Sequence, residues 1–184
     1  MISDKRITEI SKFLSMVLRH KPEKIGIQLD ENGWTDVADL LEKSNRFGIP
    51  FDLEMLKHIV DTNPKQRFAL NAAQDKIRAN QGHSVPIELG YASQEPPEIL
   101  YHGTAEKSVQ SILATGLEKR NRQHVHLSSD LETALKVGQR HGIPFVFKVF
   151  AKQMYNDKFE FYRSDNGVWL THEVPVNYLK RNEE

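Results

Sequence analysis

Ser11-Lys12-Phe13-Leu14-Ser15-Met16-Val17-Leu18-Arg19-His20-Lys21-Pro22 is an apolar periodicity that runs into three basic side chains and a proline. With Ile7 and Ile10 upstream, Phe13, Leu14, Val17 and Leu18 recur at the three- and four-residue spacing of a helix with one buried face. Pro22 ends that helix, because its ring removes an N–H donor and clashes with the preceding turn. Arg19, His20 and Lys21 therefore fall at the last turn. Exposed carbonyls and the helix dipole stabilise cations there by about 0.3–1 kcal/mol each. Position alone accounts for them until something else in the chain calls for positive charge.

Downstream, Gly26 to Trp34 reads as a short extended segment with a turn at Asn32-Gly33. Thr35 or Asp36 caps a second helix with Val37, Leu40 and Leu41 on its apolar face, ending near Gly48. Asp52, preceded by Phe51 and followed by Leu53, Leu56, Ile59 and Val60, opens a third, which Pro64 closes. Arg67-Phe68-Ala69-Leu70 and Lys76-Ile77-Arg78-Ala79 flank a polar region and predict a hairpin. Helix, short strand, helix, helix, hairpin is the order of a winged helix. That fold often meets nucleic acid, but fold alone does not establish function.

Residues 86–97 lack periodicity and hold Pro86, Pro96 and Pro97, which makes them a linker between a first domain, 1–85, and a second, 98–184. In the second, Ile99 to His102 reads as a strand ending at Gly103-Thr104, and Ala105 to Thr115 as a helix stopped by Gly116. His124 to Leu127 is a strand, and Ser128, Ser129 or Asp130 caps the next helix. Phe145 to Val149, Phe159 to Tyr162 and Val168 to Leu170 are further strands, the last two joined by a turn at Asp165-Asn166-Gly167. The expected class is α+β with a mixed or antiparallel sheet.

Composition excludes several kinds of chemistry. The 184 residues contain no cysteine, so disulfides, thiolate metal sites and a cysteine nucleophile are ruled out. No apolar run reaches the roughly 18 residues of a membrane span, and the N-terminus lacks a signal-peptide core, so a cytoplasmic protein without a membrane partner is expected. Lys+Arg and Asp+Glu balance at 25 each, so any basic site is local.

His102 and His126 lie on strands of the same domain, but without helical pairing or a carboxylate cluster they do not make a convincing metal site, and none is expected. Gly103 and Gly116 form neither a dinucleotide-binding glycine turn nor a P-loop. Arg122, entering the His124 to Leu127 strand, reads by itself as part of a solvated basic loop with Lys119 and Arg120, and Arg67 as an exposed strand charge. Arginines from separate segments are nonetheless suited to converge on a phosphate, whose oxygens match the guanidinium fork.

The ordered set Ser11 to Pro22, Gly33-Trp34, Lys65 to Phe68, Ile77 to Ser84, Tyr101 to Thr104, Val125 to Ser128 and Asn166 to Leu170 resembles the motifs of the RNA 2′-phosphotransferase family. The resemblance spans nearly the whole chain. It implies an N-terminal winged-helix RNA-binding lobe and a C-terminal NAD-binding lobe related to ADP-ribosyltransferases. The implied reaction consumes NAD⁺ to remove an internal 2′-phosphate from a tRNA-like RNA, through an ADP-ribosylated RNA phosphate and then transesterification to ADP-ribose 1″,2″-cyclic phosphate. Carried over by motif, Arg19, His20, Arg67 and Arg122 are the catalytic set. His102, Gly103, Thr104, His126 and Ser128 line the NAD site.

A monomer is expected. Two rivals follow from the same residues: an ADP-ribosyltransferase that stops at a modified nucleic-acid end or other acceptor, and a winged-helix regulator with a nucleotide-sensing domain.

Overall fold

In the computed structural model, which describes residues 3–182, the opening periodicity is one helix, α1 (Asp4–Arg19), capped by Ser3, whose side chain accepts from the Arg6 N–H. Ile10, Leu14, Val17 and Leu18 are fully buried on its inner face. The chain divides into two units, Met1–Gly90 and Tyr91–Glu184.

In the first unit, β1 (Thr35–Asp36) leads directly into α2 (Val37–Arg46), and Asp36 is both the last strand residue and the helix cap, accepting from the Asp39 N–H. The strand thus falls just after the Gly26 to Trp34 segment expected to be extended. That segment is irregular because it turns at Gly33, whose φ of +80 is a left-handed conformation that favours glycine. Asp52 caps α3 (Leu53–Thr62) through the Met55 N–H. The hairpin β2 (Phe68–Leu70) and β3 (Lys76–Ala79) completes an antiparallel sheet of order β1-β3-β2. Leu40, Leu56, Ile59, Phe68 and Ile77 join the buried face of α1 in one core. Each such side chain contributes about 1.5–3 kcal/mol relative to exposure.

The second unit has more strands than its sequence pattern predicts. β4 (Leu100–Ala105) continues through Gly103 and Thr104, so the next helix begins late: a single 3₁₀ turn precedes α4 (Val109–Thr115). Then come β5 (Leu117–Glu118), β6 (Val125–Leu127), α5 (Leu131–Gln139) capped by Asp130, β7 (Pro144–Val149) and α6 (Ala151–Asn156). β8 (Phe161–Arg163), β9 (Trp169–Thr171), β10 (Glu173–Val174) and β11 (Leu179–Arg181) follow. All strand pairs among the described residues are antiparallel.

Two three-stranded sheets, β11-β7-β4 and β6-β9-β8, are joined where Tyr101 and Ser128 exchange backbone hydrogen bonds of 2.9 and 2.8 Å. α5 lies so close to β4 that a Cβ on Gly103 would stand 1.7 Å from the Ala134 carbonyl oxygen. That contact, rather than a turn, requires the glycine. No helix among the described residues is long and apolar enough to cross a membrane.

Candidate active site

In the first unit the site grows from the end of α1. The His20 and Lys21 N–H groups both donate to the Met16 carbonyl, closing the helix, and the Ser84 N–H donates to the Arg19 carbonyl at 2.9 Å. A carbonyl that the helix leaves without an internal donor is thereby satisfied from a residue far along the chain. The Ser84 hydroxyl also meets His20 Nδ1 at 3.0 Å, fixing the ring's direction.

Arg19 extends its guanidinium to the Arg67 carbonyl, Nη2 to O 3.3 Å, and lies over the Phe68 ring at 5.9 Å. The Arg67 carbonyl accepts again from the Asn80 N–H at 2.9 Å, and Asn80 Nδ2 donates to the Gln66 carbonyl at 2.7 Å. Gln66 is held at φ +41, an uncommon conformation for a residue with a side chain. Buried Asn80 thus clamps a left-handed residue immediately before Arg67, and Arg19 is tied to the same peptide.

Behind this set, Arg78 stacks over the Trp34 ring at 4.7 Å and donates to the Leu89 carbonyl. His83 is 1% exposed, and neither ring nitrogen has a hydrogen-bond partner among the described residues. Burial first, and then the charges of Arg19, His20 and Arg78, push its pKa down to about 3. It is therefore neutral at physiological pH. A protonated imidazole is thereby kept out of a region that already holds the Arg19 and Arg78 guanidiniums.

In the second unit, a cavity of about 600 Å³ opens beside β4 and β6. His102, Gly103, Thr104, Arg122 and His126 all line it, together with His124. His102 Nδ1 lies 3.2 Å from the His126 carbonyl, which only accepts, so this nitrogen carries the proton. Burial lowers the His102 pKa, with Arg122, Arg120 and His141 acting in the same direction against that hydrogen bond. Its other nitrogen is consequently an acceptor.

Arg122 Nη1 stands 3.1 Å from His126 Nδ1. A guanidinium can only donate, so His126 accepts at Nδ1 and is the neutral Nε2–H tautomer. Lys107, Lys119 and Arg120 add positive charge to the lining, Ser108, Ser111 and Thr115 add hydroxyls, and Glu118 is the one carboxylate among the described residues there. This donor set suits a dinucleotide with a charged diphosphate and ribose hydroxyls. Ser128 is not part of the lining; its backbone makes the seam with Tyr101.

The structure thus brings Arg19, His20 and Arg67 together in the first unit, and Arg122 with His102, Gly103, Thr104 and His126 in the second. Ser84, Asn80, His83, Trp34 and Arg78 have supporting roles that no local pattern identifies, because their contacts reach across the chain. Their only trace in the sequence is membership of the motifs at 33–34 and 77–84.

Known proteins similar to this chain fall in one family. The RNA 2′-phosphotransferase, Tpt1 / KptA family, matches residues 5–173. A probable RNA 2′-phosphotransferase of Flavobacterium johnsoniae is 56% identical over 171 residues, covering 93% of this chain and 94% of the relative. Those of Agrobacterium fabrum and Hahella chejuensis are 54% and 50% identical, over 94% and 96% of this chain and 92% and 95% of their own. The match runs from α1 to the start of β10, and the chain belongs to the RNA 2′-phosphotransferase family, a family of transferases.

Proposed function

We propose that this protein uses NAD⁺ to remove an internal 2′-phosphate from RNA. The first unit is a winged-helix lobe that receives a tRNA-like RNA, and the second is an ADP-ribosyltransferase-like lobe that receives NAD⁺; the protein acts in the cytoplasm as a monomer. Arg19, His20, Arg67 and Arg122 are the catalytic residues. His102, Gly103, Thr104, His126 and Ser128 form the NAD site, Gly103 and Ser128 through backbone placement. The observation that carries this reading is the cavity beside β4 and β6, where Arg122 and two neutral imidazoles of set tautomer share a lining rich in cations and hydroxyls.

NAD⁺ supplies an anomeric carbon with nicotinamide as leaving group. An RNA phosphate carries roughly 1.5 to 2 negative charges at neutral pH, so it needs orientation more than a general base. β9, the strand paired with β6, presents Trp169-Leu170-Thr171 and no carboxylate that would repel the phosphate. In the first step a 2′-phosphate oxygen bonds to the anomeric carbon and nicotinamide departs. In the second, a ribose hydroxyl of the ADP-ribose attacks phosphorus and gives up its proton to water, the bond to the RNA 2′ oxygen breaks, and that oxygen takes a proton. The arginines hold the charge on the non-bridging oxygens. His20, its ring directed by Ser84, delivers the proton.

Incubation with NAD⁺ and an internally 2′-phosphorylated RNA is expected to yield dephosphorylated RNA and ADP-ribose 1″,2″-cyclic phosphate. ADP-ribosylated RNA as the sole end product would favour a simple ADP-ribosyltransferase, and no conversion would overturn the proposal.

A further inference from the structure

The first unit carries an open groove of about 350 Å³ between α1 and the C-terminal end of α3, whose lining, apart from Arg67, has no functional role assigned above. Thr8, Lys12 and Ser15 line it from successive turns of α1, Thr62 and Asn63 from the end of α3, and Arg67 lies at its margin. None of the described residues lining it is acidic, although the chain carries as many Asp+Glu as Lys+Arg, 25 each. The acidic residue on that stretch of α1, Glu9, is engaged by Arg6 at 2.7 Å.

Polar groups of the groove are already ordered. The Ser15 hydroxyl donates to the Ser11 carbonyl at 2.9 Å, and Asn63 Nδ2 donates to Ser11 Oγ at 3.4 Å. Lys12 is exposed and forms no ion pair with another described residue. A cation without a carboxylate among ordered hydroxyls favours an anionic ligand with several oxygens, and the groove adjoins a proposed phosphate-binding arginine. The lining contains no aromatic ring. Bases therefore have no platform to stack on, and the features present suit a sugar–phosphate backbone read without regard to sequence.

Resting on the function proposed above, we propose that this groove binds the phosphodiester backbone of the single RNA strand flanking the 2′-phosphorylated nucleotide, with Lys12 contacting a phosphate. Seven residues separate Lys12 from Arg19, about 10 Å along the helix axis. Lys12 thus meets a neighbouring phosphate while the modified one lies at Arg19 and Arg67. The protein gains affinity from RNA length without gaining sequence preference.

The test compares kcat/KM of wild-type protein, Lys12→Ala and Lys12→Glu on a dinucleotide carrying the 2′-phosphate and on a dodecamer with the same junction. Lys12→Glu is expected to reduce the preference for the dodecamer by about tenfold, through KM. Lys12→Ala should make the slope of log kcat/KM against log salt shallower by about 0.7 on the dodecamer, the share of one single-strand phosphate contact. Equal losses on both substrates, or none on either, would overturn the groove. If the wild-type protein turns over neither RNA, the failure lies with the proposed function. Fluorescence anisotropy then decides the groove separately: an unphosphorylated dodecamer must bind wild-type protein more tightly than Lys12→Glu at low salt, and equal binding, or preference for an acidic peptide, would refute it.

Discussion

The two cationic regions of the molecule are built differently. At the end of α1, side chains are placed by the backbone: Arg19 reaches the Arg67 carbonyl, Asn80 clamps Gln66 and Arg67, and Ser84 closes the helix while directing His20. Beside β4 and β6, side chains are placed by one another and by strand register, with Arg122 on His126 and His102 on the His126 carbonyl. The first arrangement gives positive charge held by backbone hydrogen bonds, a setting suited to the phosphate of the proposed reaction. The second gives neutral imidazoles with defined donor and acceptor atoms, which orient an uncharged sugar hydroxyl better than a diffuse cation would.

The largest effect should come from separating the regions by reaction step. His20→Ala is expected to slow the second step by about 10²–10⁴-fold, the usual worth of a general acid, and ADP-ribosylated RNA should accumulate in single-turnover assays. His102→Ala should slow the first step instead, with no accumulation of that intermediate. If both variants stall at the same step, the division of labour is wrong.

Gly103→Ala attacks the frame of the second region. A Cβ at this position meets the Ala134 backbone rather than a movable side-chain end, so α5 must shift. Chemical denaturation should register a loss of about 1–3 kcal/mol or more. Wild-type stability would mean that the contact between α5 and β4 yields easily.

Acid sensitivity sharpens the comparison further. Burial holds the folded pKa of His83 at about 3, below the ordinary imidazole value of 6.5, so its contribution to stability is complete above the unfolded value and is lost as pH falls toward 3. Across that window the slope should approach about 1.4 kcal/mol per pH unit. In the second unit, burial, with help from His172 and Lys119, lowers the pKa of half-buried His124 to about 4, and the loss runs in the same direction. His83→Phe should therefore flatten, without abolishing, the fall in stability between pH 6.5 and 4. An unchanged slope would show that His83 is not buried as a neutral ring.

Ser84→Ala is the mildest change. It keeps the N–H to Arg19 and removes only the hydroxyl that directs His20, so a loss of about 0.5–1.5 kcal/mol, or a few-fold in the second-step rate, is expected. A far larger loss would give the hydroxyl a part in the proton transfer itself.

Local patterns are legible where neighbours along the chain decide the outcome. The spacing of Ile10, Phe13, Leu14, Val17 and Leu18, stopped by Pro22, specifies α1, and Asp36, Asp52 and Asp130 mark the starts of three more helices because a cap bonds to an N–H three residues away. The two- and three-residue strands β1, β5, β10 and β11 are too short for an alternating pattern and exist because a partner strand pairs with them. The same holds at the candidate site. Arg19, His20 and the histidines of β4 and β6 can be picked out as residue types at motif positions.

Only the fold assigns Gly103 to the packing of α5, sets the tautomers of His102 and His126, and buries His83 with neither ring nitrogen bonded to a described residue. Ser84 reaches His20 across 64 positions, and Arg19 reaches Arg67 across 48. The helices, their caps and the ordered motifs are written in the chain's local order, since they rest on interactions a few residues long. Tertiary structure alone decided which carbonyl each arginine meets and which imidazole nitrogen carries its proton, because those depend on atoms that the chain brings together only after it has folded.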